Sequence, residues 1–317
     1  MDLLSHFLLM LKVESTSISS WQMSSPWGVN VRDYDPGFCF MVEHGTCWVD
    51  SITGGAVQLR EGDTLLVPRG GACKLMCTPG VDLTDLHDLH WSDDRPATLD
   101  RSYQPGSAIS VVHGGGGTAC RLLGLAFTIE SGQGEFVLSQ IPRFIVLRKE
   151  DASTLTLTPS AIHSLVFDNK PGYFAVAKHV AELIVIGLLR AYILTDQSFT
   201  PGWLKGLRDT YITKAMLAIH EQPQKQWTVP LLASVSNLSR SAFAARFAKL
   251  VGMSPIDYLH HWRITLAQEM LKNSSSSITL IASSLGYQSD RVFRQSFKQR
   301  LNLSPREYRG KFKVAEL

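Results

Sequence analysis

The chain has 317 residues, long for one domain and comfortable for two. With 44% hydrophobic and 19% charged residues it excludes wholesale disorder, and no apolar run reaches the ~18 residues of a membrane helix. The longest candidate, Val180 to Leu194, is broken by Glu182 and Arg190. The net charge of +3 divides unevenly. Residues 203–317 hold 17 Lys and Arg against 7 Asp and Glu, whereas the first 202 hold 14 against 21. A basic third on an acidic body suggests a polyanion-binding module joined to something else; a solvated basic surface is the plainer alternative.

In chain order, Asp2–Lys12 reads as a short amphipathic helix. It lacks a basic leader and a small-residue cleavage site, so a secretory signal is not expected and a cytoplasmic location is. Five cysteines (Cys39, Cys47, Cys73, Cys77, Cys120) all lie in the first 120 residues. Their odd number and the absence of a C-x-x-C pair point to free thiols rather than a disulfide framework or zinc ribbon. From Trp27 to about Phe136, short apolar and β-branched segments alternate with Gly, Pro and Asp: Phe38–Val42, Cys47–Asp50, Ala56–Leu59, Thr64–Val67 and Cys120–Ile129. This pattern predicts a small all-β sandwich or barrel, with hairpin turns at Gly45-Thr46 and Thr53-Gly54-Gly55. His113–Gly117 is expected to be a flexible loop. It is similar to a lipase oxyanion loop, but no Gly-x-Ser-x-Gly accompanies it. Residues 172–194 predict a helix apolar on most sides, suited to packing across its own barrel or to contacting a second copy of the chain. Asp196–Gly202 is the candidate linker. Helices with short polar turns follow.

The most informative feature is a self-match at an offset of 50 residues. Ser239, Phe243 and Phe247 recur as Ser289, Phe293 and Phe297; Ser254, Pro255 and Tyr258 recur as Ser304, Pro305 and Tyr308. In each copy a Ser suits a helix N-cap, two Phe four apart share a face, Gly252 or Asn302 ends the helix, and Ser-Pro starts the next. Ser304 and Glu307 form a capping box. Ahead of each Ser-capped helix lies a shorter one, Val229–Val235 or Ile278–Ser284, followed by a tight turn. Two helix-turn-helix units in register, within the basic third, point to DNA.

Residues from about 209 to 311 resemble the AraC/XylS family DNA-binding domain. The resemblance is carried by Trp227–Ala233, Ser239–Phe243, Gly252–Leu259, Ile281–Ser289 and Leu303–Arg309. It implies a transcription regulator without enzymatic activity whose partner is double-stranded DNA. RNA polymerase, a homodimer mate and a small effector are further candidate partners; activation and repression stay open. With the Phe pairs inward, the groove-facing residues are Arg240, Ser241, Ala244, Ala245 and Lys249 in the first copy. In the second they are Asp290, Arg291, Arg294, Gln295 and Lys298, behind the cap Ser289. Arg and Gln can contact base edges bidentately, whereas Ala reaches only a thymine methyl, so the second helix is expected to carry more hydrogen-bonded readout. Arg240 and Arg246 are phosphate candidates. The linking helix, Pro255 to Lys272, would span roughly 27 Å at 1.5 Å per residue, close to the ~34 Å between successive major grooves.

Gly62–Gly70 and Phe38–Trp48 resemble the cupin-type sensor domain attached to one branch of that family, implying a β-barrel and trailing helices over about residues 1–200, ahead of a DNA-binding domain at 203–317. The whole is thus an α+β, two-domain chain. Against the cupin metal motifs, Gly37 and Cys39 stand at the two first-motif His positions and Glu43 at the Glu. Pro68 and Gly70 match the second motif, with Cys73 at its His and Cys77 at its Asn. The three-His set is absent. Cys39, Glu43, Cys73 and Cys77 are therefore the sensor-site candidates. Three readings stay open: buried Cys as small hydrophobes, a thiol switch between Cys39 and Cys73, and a zinc or copper(I) site on the same pair. Cys47 and Cys120 read as core. The competing function is a cupin-fold enzyme or small-molecule binding protein with a helical appendage.

Overall fold

The computed structural model describes residues 2–51, 55–92, 104–130, 133–151, 159–167, 170–195 and 201–313. The chain opens with helix α1 (Leu3–Leu8). Ten strands follow: β1 (Val13–Ser24), β2 (Gly28–Tyr34), β3 (Gly37–His44), β4 (Thr46–Ser51), β5 (Gly55–Arg60), β6 (Thr64–Val67), β7 (Gly71–Met76), β8 (Thr84–Asp85), β9 (Ile109–Gly114) and β10 (Ala119–Ile129). Next come α2 (Gln133–Leu138), β11 (Ile145–Leu147), α3 (Pro159–Val166) and α4 (Tyr173–Thr195). Eight helices complete the chain: α5 (Trp203–Leu207), α6 (Thr210–Glu221), α7 (Val229–Val235), α8 (Arg240–Val251), α9 (Pro255–Asn273), α10 (Ile278–Ser284), α11 (Asp290–Leu301) and α12 (Pro305–Lys313). The expected linker at Asp196–Gly202 falls mostly outside the described residues, as do Thr53 and Gly54 of the expected hairpin turn.

Two compact units result. The sheet unit comprises residues 11–130 and 141–197; the helical unit comprises 198–317 together with 1–10 and 131–140. Helices α1 and α2 thus fold with the C-terminal helices.

The sheet unit holds a six-stranded sheet, β11-β6-β3-β10-β1-β9, and a five-stranded sheet, β5-β4-β7-β2-β8. They face each other across a core that includes Trp21, Phe38, Phe40, Val42, Val49, Leu65, Leu75 and Leu122. Among the described residues they form a two-sheet stack rather than a closed barrel. Strand β1 is longer than its composition suggests. Its sequence, Val-Glu-Ser-Thr-Ser-Ile-Ser-Ser-Trp-Gln-Met-Ser, is poor in apolar residues, yet it lies between β10 and β9 with Ser15, Thr16, Ser17 and Ser19 buried. Hydroxyls survive there because they have acceptors: Thr16 Oγ1 donates to Ala126 O (3.1 Å) and Ser19 Oγ to Gly124 O (3.3 Å). The Gly-rich segment after β9 is pinned. The N–H groups of Gly115 and Gly117 donate to the carbonyls of Ser24 and Ser25, and Gly116 N donates to Ser24 Oγ. Helix α4 packs on β1 and β11, which accounts for its many apolar sides.

In the helical unit the repeat takes the expected form. Ser239 and Ser289 cap α8 and α11, Thr228 and Ser277 cap α7 and α10, and Ser254 caps α9. Gly252 and Asn302 end α8 and α11 in the left-handed region, with φ of 79° and 54°. The capping box forms in both directions: Glu307 N donates to Ser304 Oγ (3.2 Å) and Ser304 N to Glu307 Oε2 (2.7 Å). The Phe pairs are fully buried, with ring centroids 5.6 Å apart in α8 and 5.7 Å in α11.

Beneath α6 and α9 lies an aromatic cluster of His6, Phe7, Phe136, Trp203, His220, Tyr258 and Trp262. Phe7 and Trp203 stand 4.2 Å apart and His220 stacks on Trp262 at 4.1 Å. His220 Nε2 pairs with Tyr258 Oη at 2.8 Å. Burial holds His220 well below the ordinary histidine range, and burial with the nearby Arg300 charge lowers His261 to about 4. Such rings fold neutral and unfold with ordinary pKa values near 6.5. Stability is therefore complete above about pH 6.5 and falls below it, by up to about 1.4 kcal/mol per pH unit for each ring. The urea midpoint of the full chain should drop between pH 7.5 and 5.5. An unchanged midpoint would mean that these rings gain no protons on unfolding.

Candidate nucleic-acid interface and domain cavity

The expected reading surfaces of α8 and α11 face solvent, with Arg240, Ser241, Ala245, Arg246, Arg291, Arg294, Gln295 and Lys298 exposed and Ala244 and Asp290 half-buried. Two of these side chains are committed within the fold. Arg246 Nε donates to Asp209 Oδ2 at 2.7 Å, and its guanidinium lies 5.0 Å from the Tyr211 ring centroid. Asp209 is the N-cap of α6. Burial opposes its ionisation, but Arg246 and two backbone N–H groups outweigh burial and hold its carboxyl below the usual range. Arg246 is thus a tether between α8 and α6. Asp290 accepts from Thr279 Oγ1 (2.9 Å) and pairs with Arg294 Nη2 (3.2 Å). Its Oδ2 thus fixes α11 to α10 and orients Arg294.

Sequence reading passed over the residues that hold the two halves in place. Arg263, on α9, is only 3% exposed; its Nε donates to Pro223 O (2.7 Å) and its Nη2 to Lys225 O (3.0 Å). Arg300 donates to Asp257 O (3.0 Å) and Arg309 to Ser276 O (2.6 Å). Composition alone cannot separate such arginines from phosphate-binding ones. The carbonyl acceptors near Pro223 and Ser276 lie 40 and 33 residues away in sequence.

Inside the sheet unit a cavity of about 40 Å³ opens, several times what one water molecule needs. Trp21, Tyr34, Phe38, Phe40 and Trp91 supply its aromatic walls, and Ser17 and Ser19 its hydroxyls; among the described residues no Asp, Glu, Lys, Arg or His lines it. Trp21 Nε1 donates to Ser19 Oγ at 2.9 Å, which spends that dipole locally. Gly124 is required here: a Cβ would stand 2.5 Å from Ser19 Oγ and 2.7 Å from Trp21 Nε1.

The four sensor-site candidates do not converge on this cavity. Phe38 and Phe40 line it, so strand alternation turns Cys39, between them on β3, to the opposite face. Cys73, on β7, faces the core between the sheets. Burial pushes both thiols up to about 12. Glu43 pairs with His163 Nε2 at 2.7 Å, and Cys77 Sγ accepts from Trp27 N at 3.3 Å. Among the described residues no three His, Cys, Asp or Glu side chains gather as metal ligands. The donor set does not fit the zinc, copper or cupin metal site that the alignment suggested, and no chemistry is derived through one.

Taken together, two capped helix-turn-helix units with basic outer faces and a separate two-sheet domain define a two-part DNA-binding regulator. Residues 2–194 match the cupin family and residues 232–311 a helix-turn-helix domain. The chain belongs to the cupin family over its first part, and as a whole it is an AraC-type transcription regulator with an N-terminal cupin domain. A protein named as an AraC-like transcription regulator in Streptomyces lividans is 29% identical over 98% of both chains. One of the same name in Streptomyces antibioticus is also 29% identical over 98% of both. Among solved structures, the DNA-binding domain of AdpA in complex with a target DNA is 29% identical; the match covers 34% of this chain and 96% of that one, with a TM-score of 0.33. No helix among the described residues is long and apolar enough to cross a membrane.

Proposed function

We propose that this regulator reads DNA unequally with its two helix-turn-helix units and that a small, neutral, largely apolar molecule in the cupin cavity sets its output. The observation that carries the second half is the cavity wall: among the described residues it presents five aromatic rings, two serine hydroxyls and no ionised group. A carboxylate or ammonium would lose its water there without a compensating charge. Tryptophan emission of the full chain, to which the cavity-lining Trp21 and Trp91 contribute two of seven indoles, should be quenched in part and saturably by phenol or benzyl alcohol and not by benzoate or benzylamine. Gly124→Val, which crowds Ser19 and Trp21, should abolish the response. Equal quenching by the charged and neutral probes would rule the reading out.

On the DNA side, α11 offers Arg291, Arg294, Gln295 and Lys298 where α8 offers Ala244 and Ala245, and the Asp290 carboxylate preorganises Arg294. Arg294→Ala should cost about 1–3 kcal/mol at a single base position of the operator. A small, equal loss across all operator sequences would instead assign Arg294 to phosphate.

The candidate contact for a homodimer is the part of α4 left uncovered by its own domain. Val176, Leu183 and Leu194 are exposed along that helix. Sedimentation at high micromolar concentration, with and without DNA, tests this; a monomer in both conditions excludes α4 as a dimer contact.

A further inference from the structure

The loop between α6 and α7, residues 222–228, leads into the first helix-turn-helix unit but is fastened to the second. Two of its carbonyls, Pro223 O and Lys225 O, accept from the buried Arg263 guanidinium at 2.7 and 3.0 Å. Arg263 lies near the middle of α9, the helix that joins the two units, and its guanidinium carbon stands 5.5 Å from the Tyr287 ring centroid. Tyr287 belongs to the α10–α11 turn, and its ring meets Phe293 of α11 edge-on at 5.2 Å. A second fastening lies at the surface, where Gln226 Nε2 donates to Gly286 O, in the same turn, at 2.7 Å. Gly286 is required at this approach. Its φ is 79°, and a Cβ there would collide with Gln224 O and stand 2.8 Å from Arg263 Nη2.

The loop is itself tied. Lys225 N donates to Gln222 O, Trp227 N to Lys225 O and Trp227 Nε1 to Gln222 O (2.9 Å), and the Lys225 ammonium lies 4.1 Å from the Trp227 ring centroid. Thr228, directly after the buried Trp227, caps α7. Position is thus handed from the second unit to the start of the first. Helix α9 alone is a single rod. The first unit packs on its N-terminal half, with Phe247 against Tyr258, and the second on its C-terminal half, around Ile264, Ala267 and Leu271. Long helices curve, so one rod leaves its two ends some freedom to rock. The clasped loop is a second connection that closes a bracket around Arg263. We infer that this clasp fixes the separation and rotation of α8 and α11, so that Arg263 and Gln226 are positioning residues that set which spacing of operator half-sites is accepted. They act through the reading helices and without touching DNA. The inference rests on both units engaging one duplex. One inserted base pair moves a half-site by ~3.4 Å and turns it by about 34° around the duplex. A stiff two-headed reader then loses one set of contacts, whereas loosely joined heads follow the displaced site.

The full-length protein first selects its operator from a randomised duplex library, and the gap between the two half-sites is then lengthened or shortened by one base pair. Gel-shift titration gives the ratio of affinities for original and altered spacing; taken on one preparation, the ratio cancels any unfolded fraction. The wild-type ratio should be about tenfold to a hundredfold, the cost of losing one to a few base contacts. In Arg263→Met and in Gln226→Glu it should fall below about fivefold, as the heads become loosely joined. Gln226→Glu is isosteric and exposed and sets a carboxylate against Gly286 O, so it opens the clasp without disturbing the core, and it decides the matter should Arg263→Met fold poorly. Single base changes inside either half-site should be penalised in both variants as in the wild type, which separates lost spacing from general weakening. An undiminished ratio in a folded variant, or a ratio that falls only together with the half-site penalties, would overturn the clasp alone. Wild-type binding indifferent to spacing would overturn it together with the reading that both units engage one duplex.

Discussion

Alanine at Phe297 is expected to remove operator binding by collapsing the second helix-turn-helix unit, at a cost of roughly 3–5 kcal/mol. The ring is 0% exposed, stands 5.7 Å from Phe293 and 5.5 Å from Tyr308, and shares its core with Ile264, Leu271, Ile281 and Leu285 from the neighbouring helices. Nothing polar is available to fill the vacated volume, so the site keeps a cavity or shifts α11 away from α9. A whole domain is stable by only about 5–15 kcal/mol, so the loss is a large share of the total. Urea unfolding should show the lowered midpoint, and gel-shift titration the lost affinity. Phe297→Leu, which retains most of the apolar volume, should recover much of both. Full operator affinity in Phe297→Ala would mean that the first unit binds alone.

Affinity for the operator should fall by about 10³–10⁵ between 50 and 200 mM salt if some 6–10 phosphates are contacted. The counting must be done from the structure and not from composition. Arg263 is buried and bonded to carbonyls, Arg246 is tied to Asp209, and Arg300 and Arg309 each hold a backbone carbonyl. Arg240, Lys249, Arg291, Lys298 and Arg306 are among the cations left for phosphates. Charge-removing substitutions at Lys298 or Arg240 should each lower the salt slope by about one and weaken all sequences alike. Arg263→Met should leave the slope unchanged while lowering stability, because Pro223 O and Lys225 O lose their donor. A shallower slope in Arg263→Met would place that charge at the DNA.

The helix-turn-helix repeat was legible because its signals are local. Ser caps, Phe spaced by four, and Gly252 or Asn302 at the left-handed ends each act within one turn of helix, and the helix bounds of Val229–Val235 and Ile278–Ser284 follow directly. The sheet unit was legible where strands are apolar, as in β3 and β6. It was hidden in β1, whose buried Thr16 and Ser19 hydroxyls donate to carbonyls on β10 that lie more than a hundred residues away in sequence. The cysteines show the same limit. Motif alignment placed Cys39 and Cys73 at a ligand site, yet a one-residue phase on a strand decides which face a side chain takes, and Phe38 and Phe40 took the cavity. The clusters that bind α1 and α2 to the helices are likewise contacts between distant aromatics with no local pattern.

The interleaved make-up of the helical unit bears on how portable its DNA-reading half can be. A fragment that starts at Trp203 lacks Phe7, whose ring lies 4.2 Å from Trp203, and Phe136, which lies 5.2 Å from His261 and 5.6 Å from Trp262. It also lacks the Gln140 side chain that accepts from Trp203 N at 2.6 Å. Each missing ring uncovers apolar surface of the order of 1.5–3 kcal/mol. Grafting this half onto a foreign partner at a junction near residue 200 would thus expose a greasy, tryptophan-rich patch and favour aggregation. A transplant that also carries the residue 2–10 and 131–140 segments, or that recolours Trp203 and Trp262 with polar side chains, should stay dispersed.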